Sequence, residues 1–179
     1  PLWRPPLLPQ SQRVHVASIG TLPLGAQVKQ EAIELANQAA SNCLAASSYS
    51  NKHIDLLLYA GVYRDEFLSE PAIAALIAGD LQINDTIQTP QDKKTFALDV
   101  FNSSLGLLNA CQTAIAMIKA GRGSNALVVT AEIENNRETL PDAMLGLEET
   151  ASALLLAESP DGKTGFGNFV MKYFTNYIE

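Results

Sequence analysis

Two consecutive serines, Ser103 and Ser104, are the residues whose position best suits chemistry, because they follow a short apolar segment and precede a helical pattern. Residues 96–101 predict a strand that is buried on both faces. Residues 104–120 predict a helix that is apolar on nearly all sides, and such a helix belongs in the middle of a domain. We therefore expect the serines at the N-terminus of a buried helix, where free N–H groups and the helix dipole stabilise an oxyanion.

The chemistry open to Ser104 depends on its surroundings. A serine hydroxyl is a weak nucleophile that needs an adjacent base. The helix dipole contributes only about 0.3–2 kcal/mol, which is too little to ionise an alcohol. Asn102, Ser103 and Ser104 also suit the N-cap of a helix, and capping is the more common role for such residues. From the residues alone, both interpretations of Ser104 stay open.

The other polar or reactive side chains favour structural roles. His15 and His53 fall at strand ends, where a histidine is more often hydrogen-bonded or solvent-facing than catalytic. Cys43 and Cys111 occupy apolar helix positions, so we expect reduced core residues and neither a disulfide nor a metal site. Glu132, near the end of a strand, suits a carboxylate that caps a turn.

Composition limits the classes of function. The chain has 179 residues, 47% of them hydrophobic and 17% charged, which predicts one ordered domain or a piece of a larger one. A net charge of −7 argues against a nucleic-acid surface and suits an acidic cytoplasmic protein. No signal peptide is apparent. The most apolar segment, 104–120, is interrupted by Asn109, Gln112 and Lys119, so we expect no membrane span.

The hydrophobic pattern predicts an α/β fold in the order β-α-β-α-β-α-β-β. The expected strands are 14–19, 54–60, 96–101, 125–133 and 150–158, the last of them antiparallel at an edge. The expected helices are 30–47, 72–81 and 104–120, with Pro71 at the first position of the second helix. This alternation predicts a mixed, mainly parallel sheet around a buried central helix.

We also expect three regions along the chain. Residues 1–13, which are rich in proline, suit an extended arm. Residues 14–160 form the main domain, and 161–179 begin with a turn at Asp161 and Gly162 and start a further strand or a linker. A helix apolar all round needs a cover on its outer side, either a second sheet or a partner chain.

Three segments resemble the N-terminal half of a ketoacyl synthase III, a condensing enzyme with the thiolase fold. They are IDLLLYAGVYRDEF at 54–67, ALDVFNSSLGLLNA at 97–110 and IKAGRGSNALVVTAE at 118–132. The resemblance extends over most of the chain from about residue 14 onward. It implies a thiolase-like half domain for residues 14–160.

The resemblance also implies a site. The family's nucleophile is a cysteine two residues before a glycine, and this position falls on Ser104, two residues before Gly106. The family's catalytic histidine and asparagine lie in a second half that this sequence does not contain. Phe67 and Leu68 could enter a partner's acyl tunnel, as the equivalent loop does in the family, or close the domain's own core. The family's Gly-Asp-Gly-Ala-Gly turn is altered, to Glu-Glu-Thr-Ala-Ser at 148–152.

Two functions follow as hypotheses. The first is an acyltransferase of fatty acid or polyketide-type biosynthesis that uses thioesters of coenzyme A or acyl carrier protein, needs no cofactor, and carries the acyl group on Ser104. The second is a catalytically silent thiolase-fold subunit that assembles with an active partner. A small-molecule-binding doubly wound domain is disfavoured, because no phosphate-binding glycine motif follows a strand. In either function we expect an exposed apolar face, covered by a second half or by a homodimer partner.

Overall fold

The computed structural model describes residues 13–22, 31–62, 70–85, 94–133 and 149–172. Its strands are β1 (Val14–Thr21), β2 (Leu56–Tyr59), β3 (Phe96–Asp99), β4 (Asn125–Glu132) and β5 (Thr150–Glu158). Its α-helices are α1 (Ala32–Ala45), α2 (Ile73–Asp80) and α3 (Gly106–Lys119), and short 3-10 segments span Asn51–His53 and Ser103–Leu105. The predicted order of strands and helices is confirmed. The predicted arm falls on residues 1–12, which lie outside the described residues, and on Arg13.

The five strands form one sheet in the order β1-β5-β4-β2-β3. β2 pairs in parallel with β3 and β4, whereas β5 pairs antiparallel with β4 and β1. Four strands therefore share one direction, and the predicted mixed, mainly parallel sheet is confirmed. The predicted edge position of β5 is wrong, because β5 lies between β1 and β4 and pairs with both.

Each face of the sheet has its own hydrophobic core. On one face α1 and α2 pack over residues such as Leu57, Leu127 and Leu155. On the other face α3 packs over residues such as Leu58, Val128 and Leu156, and Phe166 also contacts this core. Neighbouring residues of a strand thus belong to different clusters, because successive side chains of a strand point to opposite faces of the sheet.

Two sequence expectations about the α3 side are wrong in part. β3 is not buried on both faces: it forms an edge of the sheet, and Phe96 is 56% exposed. α3 is not buried all round either, since Leu105 just before it and Leu108 within it are 52% and 58% exposed. The side of α3 that faces away from the sheet has no cover among the described residues. Part of the expected exposed apolar face is thus present, at the N-terminal end of α3.

The predicted stop of α3 is confirmed in detail. Gly121 has φ +68°, a conformation that glycine adopts without strain, and its N–H donates to the carbonyl of Ile118 at 2.9 Å. The N–H of Arg122 donates to the carbonyl of Met117 at 3.0 Å. These two bonds form a Schellman motif, which uses carbonyl groups that the helix end leaves free.

Two smaller expectations have different outcomes. The turn at 161–162 is confirmed, since Asp161 accepts the N–H groups of Lys163 and Thr164, each at 2.8 Å. Pro71 does not open α2: the N-cap is Ala72 and the helix begins at Ile73.

Beyond the turn, residues 166–172 form no strand, and 173–179 lie outside the described residues. Within the described ranges, no helix is long and apolar enough to span a bilayer.

Candidate functional site

The connection between β3 and α3 makes a tight turn at the carboxyl end of the parallel strands. Val100 N–H donates to the carbonyl of Tyr59 at 2.8 Å, so β3 stays attached to β2 up to this point. The chain then enters the 3-10 segment Ser103–Leu105, with φ +45° at Ser103. Leu105 N–H donates to the carbonyl of Asn102 at 2.9 Å. Ser104 is exposed within this segment, and α3 starts two residues later.

Gly106 explains how the turn sits so close to the sheet. A Cβ atom at this position would lie 2.8 Å from the carbonyl oxygen of Ala60, which follows β2. A real Cβ cannot approach a backbone oxygen this closely, so only glycine lets the first residue of α3 rest on the end of β2. Because Ser104 is two residues earlier, this contact fixes the height of its backbone above the sheet edge.

The structure decides whether Ser104 caps a helix. The N-cap of the 3-10 segment is Asn102 and that of α3 is Leu105, and neither makes a side-chain capping hydrogen bond. Ser104 is therefore not the capping residue of either segment. Its exposed hydroxyl lies at the N-terminal end of a 14-residue helix whose first turn has no acidic residue. The dipole at this end favours a negative charge near Ser104.

The expectation of free N–H groups at this helix start needs one correction. The N–H of Gly106 donates to the carbonyl of Ser103, and that of Leu105 donates to the carbonyl of Asn102. The 3-10 turn thus uses two donors that a plain helix start would leave free.

The two histidines of the chain lie at the other end of the sheet. His15 is the second residue of β1, and its Nδ1 is 3.1 Å from the carbonyl of Ala157. His53 precedes β2, and its Nδ1 is 2.9 Å from Ser50 Oγ. β2 alone separates the two ends by roughly 13 Å, at about 3.3 Å per residue. Neither histidine can act as a base for Ser104 within this chain.

Two carboxylates stand at the same edge as Ser104. Asp99 accepts the N–H groups of Ile73 at 2.8 Å and of Ala74 at 2.9 Å. Glu132 accepts the N–H of Val62 at 2.9 Å, which confirms the predicted turn-capping role of Glu132. Asp99 was not singled out from the sequence. The sequence feature that could have identified Asp99 is its position as a single carboxylate inside an otherwise apolar strand.

Both cysteines are buried and unpaired, as predicted. Cys43 belongs to the core under α1 and Cys111 to the core under α3, so the sheet separates them. Burial raises the pKa of the Cys111 thiol to about 11, and this thiol is therefore protonated and unreactive near neutral pH. Burial also raises the pKa of Cys43, an effect that a hydrogen bond with Ser18 partly offsets.

A polar surface depression of about 320 Å³ lies at the end of the sheet opposite Ser104. Asp55, Ser124 and Asn125 line it, and they bond one another: the Ser124 N–H reaches Asp55 at 2.8 Å. Asn125 also donates to the carbonyl of His53 at 2.7 Å. These bonds tie the starts of β2 and β4 together, so we assign this cluster to structure.

Part of the predicted site lies outside the described residues. Phe67, Leu68 and Glu148 all do so. Thr150–Ser152, expected in the altered glycine turn, instead form the start of β5 and pair with β4. Within the described ranges, no group of three or more His, Cys, Asp or Glu side chains could hold a metal ion.

Comparison with known proteins supports the resemblance found in the sequence. No protein-family model matches. The chain is 26% identical over 130 residues to β-ketoacyl-[acyl-carrier-protein] synthase III of Acholeplasma laidlawii, a match that covers 73% of this chain and 37% of that protein.

Solved structures of OleA from Xanthomonas campestris have the same fold. A cysteine-to-serine variant with bound lauric acid and lauroyl-CoA matches with a TM-score of 0.66 and 24% identity, over 83% of this chain and 57% of that one. A cerulenin-bound form matches with a TM-score of 0.69 and 23% identity, over 84% and 59%. The chain thus spans well under two thirds of the length of these proteins.

Proposed function

We propose that this chain, which has the fold of the thiolase-like condensing enzymes and resembles part of a ketoacyl synthase III, is the serine-bearing part of an acyltransferase. Its substrates are acyl thioesters of coenzyme A or acyl carrier protein, in fatty acid or polyketide-type biosynthesis. Ser104 Oγ attacks the thioester carbonyl carbon and the carbon–sulfur bond breaks. The acyl group stays on Ser104 as an ester, and the thiol leaves with the proton that the hydroxyl gives up.

The observation that carries this proposal is the placement of Ser104. Its hydroxyl is exposed, is not a cap, and lies at the start of α3 on the carboxyl edge of the parallel strands. Ligands of open α/β sheets bind at that edge. The α3 dipole favours the negative charge that develops on the oxygens during attack.

We expect the base to come from outside the described residues, because both histidines of the chain lie at the opposite end of the sheet and the carboxylates Asp99 and Glu132 already accept backbone N–H groups. A second half of the protein is the expected source. An oxoester is also a poorer acyl donor than a thioester. The proposed reaction is therefore acyl transfer or hydrolysis in preference to carbon–carbon bond formation.

One solved relative bears on the substrate. The OleA variant with serine in place of a cysteine holds lauric acid and lauroyl-CoA. A cysteine-to-serine change in this fold is thus compatible with binding a long acyl chain and its CoA thioester. We propose the same substrate class for the present chain.

The exposed apolar residues at the start of α3 suggest how the protein assembles with a second half or a second copy. Leu105 and Leu108, at the N-terminal end of α3, are each more than half exposed. An apolar surface of this kind marks an interface. We propose that the remainder of a longer polypeptide covers it, or a second copy of the chain in a homodimer, in a cytoplasmic protein.

A second candidate function is a catalytically silent thiolase-fold subunit that assembles with an active partner. The presence of a serine at the family's cysteine position, with no histidine near it in this chain, favours this alternative. The two functions differ in whether Ser104 ever carries an acyl group.

Release of free coenzyme A separates these functions. The full-length protein is incubated with lauroyl-CoA, and thiol release is followed over time. We expect release that Ser104→Ala abolishes and that the neighbouring Ser103→Ala variant, the matched control, largely retains. Equal release by wild type and Ser104→Ala, or none with lauroyl-CoA and acetyl-CoA alike, would support the silent subunit.

A further inference from the structure

The segment before β2 holds a serine and a histidine that bond each other. Ser50 Oγ lies 2.9 Å from His53 Nδ1, and both residues are exposed. A hydroxyl at about 2.6–3.2 Å from an imidazole nitrogen has the geometry of a nucleophile and its general base. The pair stands at the end of the sheet opposite Ser104, so it is separate from the site described above.

The Ser50 hydroxyl does not have the role that a serine usually has at its position. Ser50 is the N-cap of the 3-10 segment Asn51–His53, and an N-cap serine normally accepts a backbone N–H of the turn that follows. Ser50 makes no such capping bond, and its hydroxyl bonds the imidazole instead. The turn is closed by its backbone, because the His53 N–H donates to the Ser50 carbonyl at 2.9 Å. The side-chain bond is therefore not needed to form the turn.

His53 also lines the polar surface depression of about 320 Å³. This volume is at the lower end of the range for small-molecule sites, which is about 300–1,000 Å³. Ser48, Tyr49 and Ser124 line the same depression, and their hydroxyl groups are able to donate hydrogen bonds to an oxyanion. The depression thus offers room for a small substrate beside the Ser50–His53 pair.

Buried bonds beneath the depression fix the backbone of His53. Asn125 is 3% exposed, accepts the Asp55 N–H at 3.1 Å and donates to the His53 carbonyl at 2.7 Å. His53 is therefore attached to the start of β4. Asp55 lines the depression as well, and its negative charge stabilises the imidazolium that forms when His53 accepts a proton.

We propose that Ser50 and His53 form a second nucleophilic centre, which hydrolyses small carboxylic esters. His53 Nδ1 takes the hydroxyl proton while Ser50 Oγ attacks the ester carbonyl carbon. The carbon–oxygen bond to the leaving alcohol then breaks, and His53 gives the proton to that alcohol. Water attacks the acyl-Ser50 ester in the same way, which releases the acid and restores the serine. The depression is polar and lies at the surface, so the substrates are short-chain esters, unlike the long acyl chains proposed for Ser104.

Labelling with a fluorophosphonate tests the pair, because this reagent requires a serine that a base activates. Ser50 Oγ bonds to phosphorus, fluoride leaves, and the hydroxyl proton passes to His53. The full-length protein is incubated with the reagent, and labelled peptides are mapped by mass spectrometry over time. Ser50 and Ser104 lie on different peptides, so the result does not depend on the function proposed for Ser104.

We expect the label on Ser50, and we expect His53→Asn to slow this labelling about a hundredfold or more, as the loss of a general base does. His15→Asn is the matched control, since His15 also bonds through Nδ1, to the carbonyl of Ala157, and should leave the labelling rate at the wild-type value. Thermal unfolding shows that both variants are folded. An unlabelled Ser50 in the wild type, or equally fast labelling in His53→Asn, would overturn the proposal.

Hydrolysis of p-nitrophenyl acetate tests the substrate class. We expect the wild type to release p-nitrophenol about tenfold faster or more than Ser50→Ala, and His53→Asn to be as slow as Ser50→Ala. His15→Asn should keep the wild-type rate. Equal release by the wild type and Ser50→Ala would overturn the assignment as a hydrolase, even with Ser50 labelled.

Discussion

Replacing Gly106 by alanine tests the close contact that places Ser104. The added Cβ would lie 2.8 Å from the carbonyl oxygen of Ala60, about 0.6 Å short of ordinary van der Waals contact. Ala60 is 3% exposed and its backbone is attached to the buried strand β2, so it cannot yield easily. The start of α3 must therefore move away from the sheet.

The size of the effect follows from two opposing contributions. Exchanging glycine for alanine in a helix gains at most about 1 kcal/mol. Forcing an extra methyl group against packed backbone costs about 1–3 kcal/mol. With the full gain subtracted, we expect Gly106→Ala to be destabilised by up to about 2 kcal/mol. Since 1 Å of misplacement can cost about a hundredfold in rate, a shift of half that size predicts about tenfold slower acylation of Ser104.

Gly79→Ala is the matched control. Gly79 also lies in a helix, α2, but a Cβ there would meet no atom within 4 Å. This variant should gain up to about 1 kcal/mol and keep its acylation rate. Urea unfolding gives the stabilities, and the appearance of acyl-protein by mass spectrometry gives the rate. Equal stability of the two variants, or an unchanged rate in Gly106→Ala, would refute the steric account of this glycine.

Three further predictions concern the rest of the domain. Burial raises the pKa of Cys111 from 9.0 to about 11. The thiol of the unfolded chain therefore loses its proton at lower pH than the thiol of the folded chain. Its stabilising contribution is complete below pH 9 and is lost as the pH rises toward 11. Urea unfolding between pH 8 and 11 should show wild type losing about 2–3 kcal/mol relative to Cys111→Ala, and parallel curves would contradict this. Ser18→Ala removes a buried hydrogen bond of 2.9 Å to the Cys43 carbonyl and should cost about 1–3 kcal/mol in the same assay; a loss below about 0.5 kcal/mol would show that the bond contributes little. Leu108→Arg in the full-length protein should lower stability by about 2 kcal/mol or more if the outer side of α3 is covered, whereas a change below about 0.5 kcal/mol would show that this side faces water.

The sequence predicted the types and order of elements because each strand and helix has either a helical apolar period or a short continuous apolar run. The expected edge position of β5 and the expected burial of β3 on both faces were wrong, because strand neighbours are chosen by contacts between residues distant in sequence. β3 illustrates this: its apolar residues suggested burial on both faces, yet Phe96 is largely exposed at an edge. The apolar side chain of Phe96 is therefore part of the exposed surface at this edge of the sheet.

Only the part of the candidate site that lies in one short segment could be predicted from the sequence. Ser104 and Gly106 could be found from a local motif, and the structure supplies the physical reason for the glycine, the close approach to Ala60. Asp99 could not be assigned a role, because its partners in α2 are about 25 residues away along the chain and only the folded backbone brings them together. Short-range patterns reveal turns and caps, whereas bonds between elements require the tertiary structure.

The central claim is that Ser104 accepts an acyl group from a thioester. Peptide mapping of the full-length protein after incubation with lauroyl-CoA tests it most directly. We predict one lauroyl group, on the peptide that contains Ser104, joined by an ester that hydroxylamine removes. Unmodified Ser104 under conditions in which lauroyl-CoA is bound, or an acyl group carried by another residue, would contradict the claim.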